Sequence, residues 1–276
     1  MNRDVVVVIG VGGMGRAIAR RQGAGRTLLL ADVDQAALDS TAEALRGDGY
    51  DVATHHVDVS SRASVAGLAA AAAERGAVTQ VVHTAGLSPA QAPAPAVLRV
   101  DLLGVALVLE EFGRVVAPGG AGVVIASMAG HLPAPLDPRQ ERELAHTPAE
   151  ELLRLPYAGG ETATDAGRAY SLAKRANVLR VQAAAPAWGE RGARVNSISP
   201  GVIATPMGRQ ELAGEAGRQM RAMVEASATG RLGTPDDIAD ATAFLLGPAA
   251  TFITGTDLLV DGGAVAAVRS GASGRP

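Results

Sequence analysis

Near the start of the chain, Asp4-Val5-Val6-Val7-Val8-Ile9 runs straight into Gly10-Val11-Gly12-Gly13-Met14-Gly15. An amphipathic stretch carrying Arg16, Arg20 and Arg21 follows. A continuous β-branched run is how a strand buried on both faces reads, as in a parallel sheet. Strand, glycine turn and helix in that order give the glycines a purpose. They let the backbone approach a pyrophosphate, and the helix N-terminus stabilises its charge. Four glycines in six residues make a plain tight turn a poor account of the loop.

The rest of the chain repeats this alternation. Thr27 to Ala31 is predicted as a second strand closing on Asp32, at about the 20-residue distance expected of an acid that holds an adenosine ribose. A carboxylate there accepts from ribose hydroxyls and repels a 2′-phosphate, so NAD is expected over NADP. Asp34 reads as a helix N-cap. Helices are predicted over 35–46, 63–75 and about 96–117, and a long one from Ala166 to about Ala187. Further strands are predicted over Asp51–Val57, Val78–His83, Gly122–Ala126, Ala193–Ile198 and Thr256–Val260. Thr234 and Pro235 open a helix to Leu246 as cap and first residue. Residues 207–226 read as loop and helix. Strands alternating with helices make a doubly wound parallel α/β sheet.

Composition narrows the function classes. Hydrophobic residues make 47% of the 276-residue chain and aromatics only 3%, so the core must be Ala, Val, Leu and Ile. The net charge of −3 shows no basic excess and argues against a nucleic-acid partner. The chain has no cysteine, which excludes disulfides, thiolate zinc sites and a Cys nucleophile. His55 and His56 are adjacent on a strand and point to opposite faces, so they cannot chelate together, and no metal site is expected. The start does not read as a signal peptide. The uncharged run from Val115 to Leu136 is broken by Pro118, Gly119, Gly120, Gly122 and Pro133 and is not a membrane span. A cytoplasmic protein is expected.

Chemistry concentrates at Tyr170-Ser171-Leu172-Ala173-Lys174. Residues four apart on a helix share a face, so Tyr170 and Lys174 point the same way. A phenol alone titrates near ~10. An ammonium about 4 Å away, at an effective dielectric of ~20, is worth roughly 4 kcal/mol, which would pull the phenol about three pH units toward neutrality. Tyr170 is therefore expected to act as a general acid/base.

From Val5 to Gly263 the chain resembles the short-chain dehydrogenase/reductase family. Its landmarks stand in order: the glycine loop, Asp32, Asp58-Val59, His83-Thr84-Ala85-Gly86, Ser127, Tyr170 with Lys174, Pro200-Gly201, Thr205-Pro206-Met207, Arg231-Leu232-Gly233-Thr234-Pro235 and Asp261-Gly262-Gly263. The resemblance implies one Rossmann domain over 1–265 with a tail over 266–276. It also implies hydride transfer between a nicotinamide cofactor and a secondary alcohol or ketone. Tyr170 would move the proton. Lys174 would hold the nicotinamide ribose and favour the phenolate, and Ser127 would bind the substrate oxygen. Gly10, Gly12, Gly13, Met14, Gly15, Asp32, Thr84, Ala85, Gly86, Pro200 and Gly201 would line the cofactor. Asp58 and Val59 would meet its adenine, and Ile203 and Thr205 its carboxamide. Two other readings use the same fold: a non-catalytic dinucleotide-binding regulator, and an NADP-dependent biosynthetic ketoreductase. A nucleotide-sugar epimerase would need a longer substrate domain.

Three departures from the family pattern stand out. The glycine loop is one residue short. Asp101 and His83 each replace a common Asn; the resemblance implies that Asp101 would keep that Asn's backbone role in a proton relay, while its added negative charge near Lys174 would change the pH profile. Ser127 and Tyr170 are much further apart than usual, and the extra segment, 131–168, is predicted to hold a short polar helix around Arg139–Glu143 and a second led by a capping box at Thr147 to Glu150, ending at Leu155. A similar insertion occurs in bacterial 3α-hydroxysteroid dehydrogenase/carbonyl reductases, where it blocks the usual packing of two long helices between subunits. A homodimer or homotetramer is expected, with the insertion a lid, an altered interface or a passive excursion. The substrate wall should come from 87–95, 131–168 and 207–225. In the last of these, Met207, Leu212, Met220 and Met223 beside Arg209, Glu211, Glu215 and Arg218 suit a flat hydrophobic or steroid-like ligand.

Overall fold

Val5 through Ile9 are wholly inaccessible to solvent, and the pleat sorts them by parity. Val5, Val7 and Ile9 enter one core, and Val6 and Val8 enter another. Leu29 and Ala31 join the first, Leu28 and Leu30 the second. Strands divided this way need helices on both faces of the sheet. The computed structural model describes residues 3–132, 136–158, 164–214 and 216–271. It shows a seven-stranded parallel sheet in the order β3-β2-β1-β4-β5-β6-β7. The strands are β1 (Asp4–Ile9), β2 (Thr27–Asp32), β3 (Asp51–His56), β4 (Ala77–His83), β5 (Val116–Ile125), β6 (Arg194–Pro200) and β7 (Asp257–Val260).

On one face lie α1 (Gly13–Gln22), α2 (Gln35–Gly47) and the helix Pro235–Leu246, packed through Ile18, Leu38, Leu45, Ile238 and Leu245. On the other face α3 (Arg62–Arg75) is followed by α4 (Ala94–Val97), a π-helical turn (Leu98–Leu103) and α5 (Gly104–Gly113). After these come α6 (Pro138–His146), α7 (Ala166–Glu190), α8 (Pro206–Ala213) and α9 (Gly217–Ala226). The helix Pro235–Leu246 is α10, and Ala264–Arg269 forms α11. The chain's one tryptophan anchors the second face: Trp188 is buried, donates to the Leu109 carbonyl at 3.2 Å, and packs over Gly113 and Gly122.

Several expectations need correction. The helix expected over about 96–117 is broken by the π-helical turn and ends at Gly113, and Val116 and Ala117 already belong to β5. Thr147 does not cap a helix; Ala149–Arg154 is a 3₁₀ segment preceded by Pro148. The capping box lies earlier, on Asp137 and Gln140 at the start of α6. The long helix α7 passes through Pro186 to Glu190. Pro186 and Gln182, whose carbonyl loses its partner, are both on the exposed face, so water can replace the lost bond. The expected end of the domain at 265 falls inside α11. Residues 272–276 of the expected tail, Glu215, and residues 133–135 and 159–163 of the insertion lie outside the described residues.

The described part of the insertion docks against α7 and the π-helical turn. Leu144 and Leu152 are wholly buried in the second-face core. Arg180 of α7 donates to the Leu144 carbonyl at 3.1 Å and the Thr147 carbonyl at 2.8 Å. Arg175 pairs with Glu141, and Arg62 gathers Glu110, Glu111 and Glu150. Leu212, Met220 and Met223 pack around buried Met128, Val202 and Val265, so these apolar side chains serve a small third core.

Candidate active site

The strand ends position everything that follows. Gly10 sits at φ +94°, and a Cβ there would lie 2.5 Å from the Ala85 nitrogen. A Cβ on Gly15 would lie 1.9 Å from the Gly10 carbonyl oxygen, so only glycine lets α1 approach the strand this closely. At Gly12 a Cβ would meet nothing within 4 Å. The first turn of α1 has no acidic residue and its N-cap no side-chain bond, so its N–H groups face this open space unopposed. These features fit a pyrophosphate. The loop is tied down from both sides. Thr84 Oγ1 donates to the Gly10 carbonyl at 2.7 Å, and Asp32 Oδ2 accepts the Val11 N–H at 2.8 Å. Asp32 Oδ1 accepts the Asp34 N–H at 3.0 Å. Gly13 packs on the methyl of Thr205, whose hydroxyl caps α8 at the Gly208 N–H. Asp58 is exposed and turns one oxygen to Ser60, while Val59 is buried under Gly104. Pro200 ends β6, and Gly201 lies against Asp261. Ile203 is buried and bridges to Gly233. Met14 packs against the first-face core.

Tyr170 and Lys174 share a face of α7, with the Lys174 ammonium 5.3 Å from the centre of the Tyr170 ring. Lys174 is buried, donates to the Ile125 carbonyl at 3.4 Å, and lies 3.0 Å from Asp101 Oδ2. Asp101 is wholly buried within the π-helical turn, and its Oδ1 accepts the Leu87 N–H at 2.8 Å. Ser127 follows β5 and caps the 3₁₀ turn Met128–His131 by accepting the Ala129 N–H at 3.1 Å. A Cβ on Gly130 would lie 2.8 Å from the Arg175 nitrogen; the bare glycine seats the Ser127 turn directly on α7.

The electrostatics differ from the simple Tyr–Lys pair. Burial raises the Tyr170 pKa above its ordinary value; Lys174 and a hydrogen bond with Ser127 oppose this, and the charges of Asp101 and Glu211 add to it. The expected shift toward neutrality is therefore reversed in the protein without ligand, because a buried phenolate is poorly solvated and Asp101 offsets the ammonium. Burial alone would lower Lys174, but Asp101 and Tyr170 overturn that and raise it. Burial raises Asp101, against the pull of Lys174 and the Leu87 N–H. The geometry decides between these opposing directions. Both Asp101 oxygens face donors only, an ammonium and an N–H, so the carboxylate form fits the site. His83 is held neutral, its pKa lowered to about 3 by burial and by Lys174.

The family model described as Enoyl-(Acyl carrier protein) reductase matches residues 10–137 and 140–265. The short-chain dehydrogenase/reductase bsc3 of Alternaria brassicicola is 41% identical over 267 residues, covering 96% of this chain and 97% of that one. The chain belongs to the short-chain dehydrogenase/reductase family. Among short-chain dehydrogenases/reductases, the 3-alpha-hydroxysteroid dehydrogenase/carbonyl reductase of Comamonas testosteroni is 28% identical over 249 residues, covering 83% of this chain and 93% of that one. A solved glucose/ribitol dehydrogenase of the family from Brucella melitensis superposes with a TM-score of 0.75 at 28% identity, covering 95% of this chain and 96% of that one.

Within this short-chain dehydrogenase/reductase, one network beside the site has no signature in the sequence. His131 Nε2 lies 2.8 Å from Asp257 Oδ2 and 3.2 Å from Ser199 Oγ, and Ser197 Oγ donates to Asp257 Oδ1 at 2.5 Å. This network pins the far end of the Ser127 turn to β6 and β7. No spacing signal announces it, because its members lie far apart in the chain. Glu211, expected only as part of the substrate wall, is partly buried, and its pKa is raised by burial, with Ser88 and Lys174 opposing.

Proposed function

We propose that this protein interconverts a secondary alcohol and a ketone with NAD as cofactor, Tyr170 serving as the acid/base. The observation that carries the reading is the seating of the Ser127 turn on α7 by Gly130, which sets a hydroxyl beside the phenol, with Lys174 one turn further along the same helix. Bound nicotinamide supplies or accepts the hydride. Ser127 holds the substrate oxygen, and Tyr170 gives that oxygen a proton in reduction or removes one in oxidation. Lys174 orders the phenol and the ribose. Gly10, Gly12, Gly13, Met14 and Gly15 cradle the pyrophosphate. Asp32 takes the ribose hydroxyls, and Asp58 and Val59 flank the adenine. Thr84, Ala85, Gly86, Pro200, Gly201, Ile203 and Thr205 close the nicotinamide side, and Asp101 supports Lys174. Among the described residues no helix is long and apolar enough to cross a membrane, which supports a cytoplasmic enzyme. The kinship with a hydroxysteroid dehydrogenase supports a hydrophobic alcohol as substrate.

The insertion supports an oligomer that avoids the long-helix face, because α6 covers part of α7. The open edge of β7, with Phe252 fully exposed and Phe244 45% exposed nearby, is the surface we assign to a second copy.

Isothermal titration of NADH and NADPH side by side tests the cofactor. Preference for NADH supports the reading. Preference for NADPH overturns the role of Asp32, and binding of neither overturns the dinucleotide site itself. Tyr170→Phe is expected to abolish turnover of a hydrophobic ketone while NADH binding persists; retained turnover would sink the mechanism.

A further inference from the structure

Asp101 does more than occupy a position where the pattern has an amide. Its carboxylate is 3.0 Å from the Lys174 ammonium and wholly buried. The two groups are packed on Gly86, where a Cβ would lie 3.1 Å from Asp101 Oδ2 and 3.3 Å from Lys174 Nζ. The π-helical turn delivers the carboxylate there, and such turns mark functional positions more often than ordinary helix does. An ammonium alone would favour a phenolate at Tyr170. Paired with a carboxylate at contact distance it acts as a dipole, whose influence on a third group is much weaker.

The groups facing Tyr170 among the described residues can be counted by element. Its own helix contributes Lys174, the π-helical turn Asp101, the end of β5 the uncharged Ser127 hydroxyl, and α8 Glu211. His83, at the end of β4, acts on Lys174 rather than on Tyr170, and burial keeps it neutral. One cation therefore stands against two carboxylates.

We propose that Asp101 is a positioning residue that converts Lys174 from a lone cation into half of a neutral pair, keeping Tyr170 a proton donor into alkaline solution and biasing the site toward ketone reduction. The inference rests on the acid/base reading of Tyr170 given above and adds a direction to it. Reduction needs the phenol, so its rate falls as pH rises through the Tyr170 ionisation. Oxidation needs the phenolate, so its rate falls as pH drops through the same ionisation. Removing the Asp101 charge favours the phenolate and moves both limbs to lower pH.

The test is Asp101→Asn, read in two ways. The first is the ultraviolet titration of Tyr170 without substrate or cofactor. It is isolated from Tyr50 and Tyr157 by subtracting the matching Tyr170→Phe protein in each background. The second is the pH dependence of kcat in both directions. The expected result is a Tyr170 titration displaced downward by about one pH unit or more, with both kinetic limbs following. A titration that stays in place or moves upward overturns the proposal and leaves Asp101 as a clamp for the Leu87 loop alone. The spectroscopic titration needs no turnover. If it moves downward in a protein with no activity, the charge role of Asp101 stands and the catalytic reading of the site fails. Should Asp101→Asn not fold, Asp101→Ser is read in the same titration: a Tyr170 ionisation displaced downward supports the proposal, and one that stays in place or moves upward overturns it.

Discussion

Asp32 serves two neighbours with one carboxylate. Its Oδ2 accepts the Val11 N–H and steadies the shortened glycine loop, its Oδ1 accepts the Asp34 N–H, and under the proposed function its remaining acceptor capacity takes the ribose hydroxyls. Asp32→Ala is therefore expected to weaken both dinucleotides, and NADH more, by roughly tenfold for a lost charge-assisted bond of about 1.5 kcal/mol. Calorimetry on NADH and NADPH reads it, and an unchanged ratio of affinities removes Asp32 as the ribose ligand. Its place was legible because strand, glycine loop and acid are neighbours in the chain. The ionisation of Tyr170 was not. It depends on Asp101 and Glu211, which reach the phenol only through the fold, and a helical spacing reports Lys174 alone. His83 was visible as a departure, but its neutrality follows from a burial that no local pattern states.

Elements that carry their own punctuation were readable in advance. Thr234 caps α10 with Pro235 at its first residue and Asp237 closing the box, and β1 matches its apolar run from Asp4 to Ile9. Elements set by tertiary packing were not. The stretch Leu98–Leu103 has the composition of ordinary helix, yet it widens to place Asp101 beside Lys174. The turn Met128–His131 is the element on which the site depends most. Gly130→Ala places a methyl against backbone atoms of Lys174 and Arg175, which cannot swing away. The expected result is a kcat lower by about ten- to a hundredfold, since small misplacements of a reacting group are costly, with NADH affinity nearly unchanged. Steady-state kinetics beside a cofactor titration would show it, and a normal kcat would mean the turn is not what aligns Ser127 with Tyr170.

At the scale of the whole molecule, parallel order was foreseeable from alternation, and each strand finds its neighbours through long crossovers. How the insertion lies was not foreseeable, because its docking depends on Arg62, Arg175 and Arg180 meeting acids and carbonyls from distant segments. The exposed edge carries the prediction at this scale. Phe252→Asp is expected to convert an oligomer of the 27.8 kDa chain to monomers, as read by light scattering after size exclusion; an unchanged mass moves the interface elsewhere. The bond from His131 to Asp257, 126 residues apart, sets a condition on synthesis. A ribosome adds about 5–20 residues per second, so the Ser127 turn leaves it many seconds before the strand that locks that turn. The growing polypeptide therefore carries the Ser127 turn with its seat on α7 but without its tie to β7 until those 126 residues have been added. A chain stopped at Gly255 is expected to show helical circular dichroism yet no ketone turnover; turnover in that fragment would show that the last strand is dispensable. Competence thus waits on a strand made long after the turn it fastens, and a chain cut short before β7 is expected to be a binder at most.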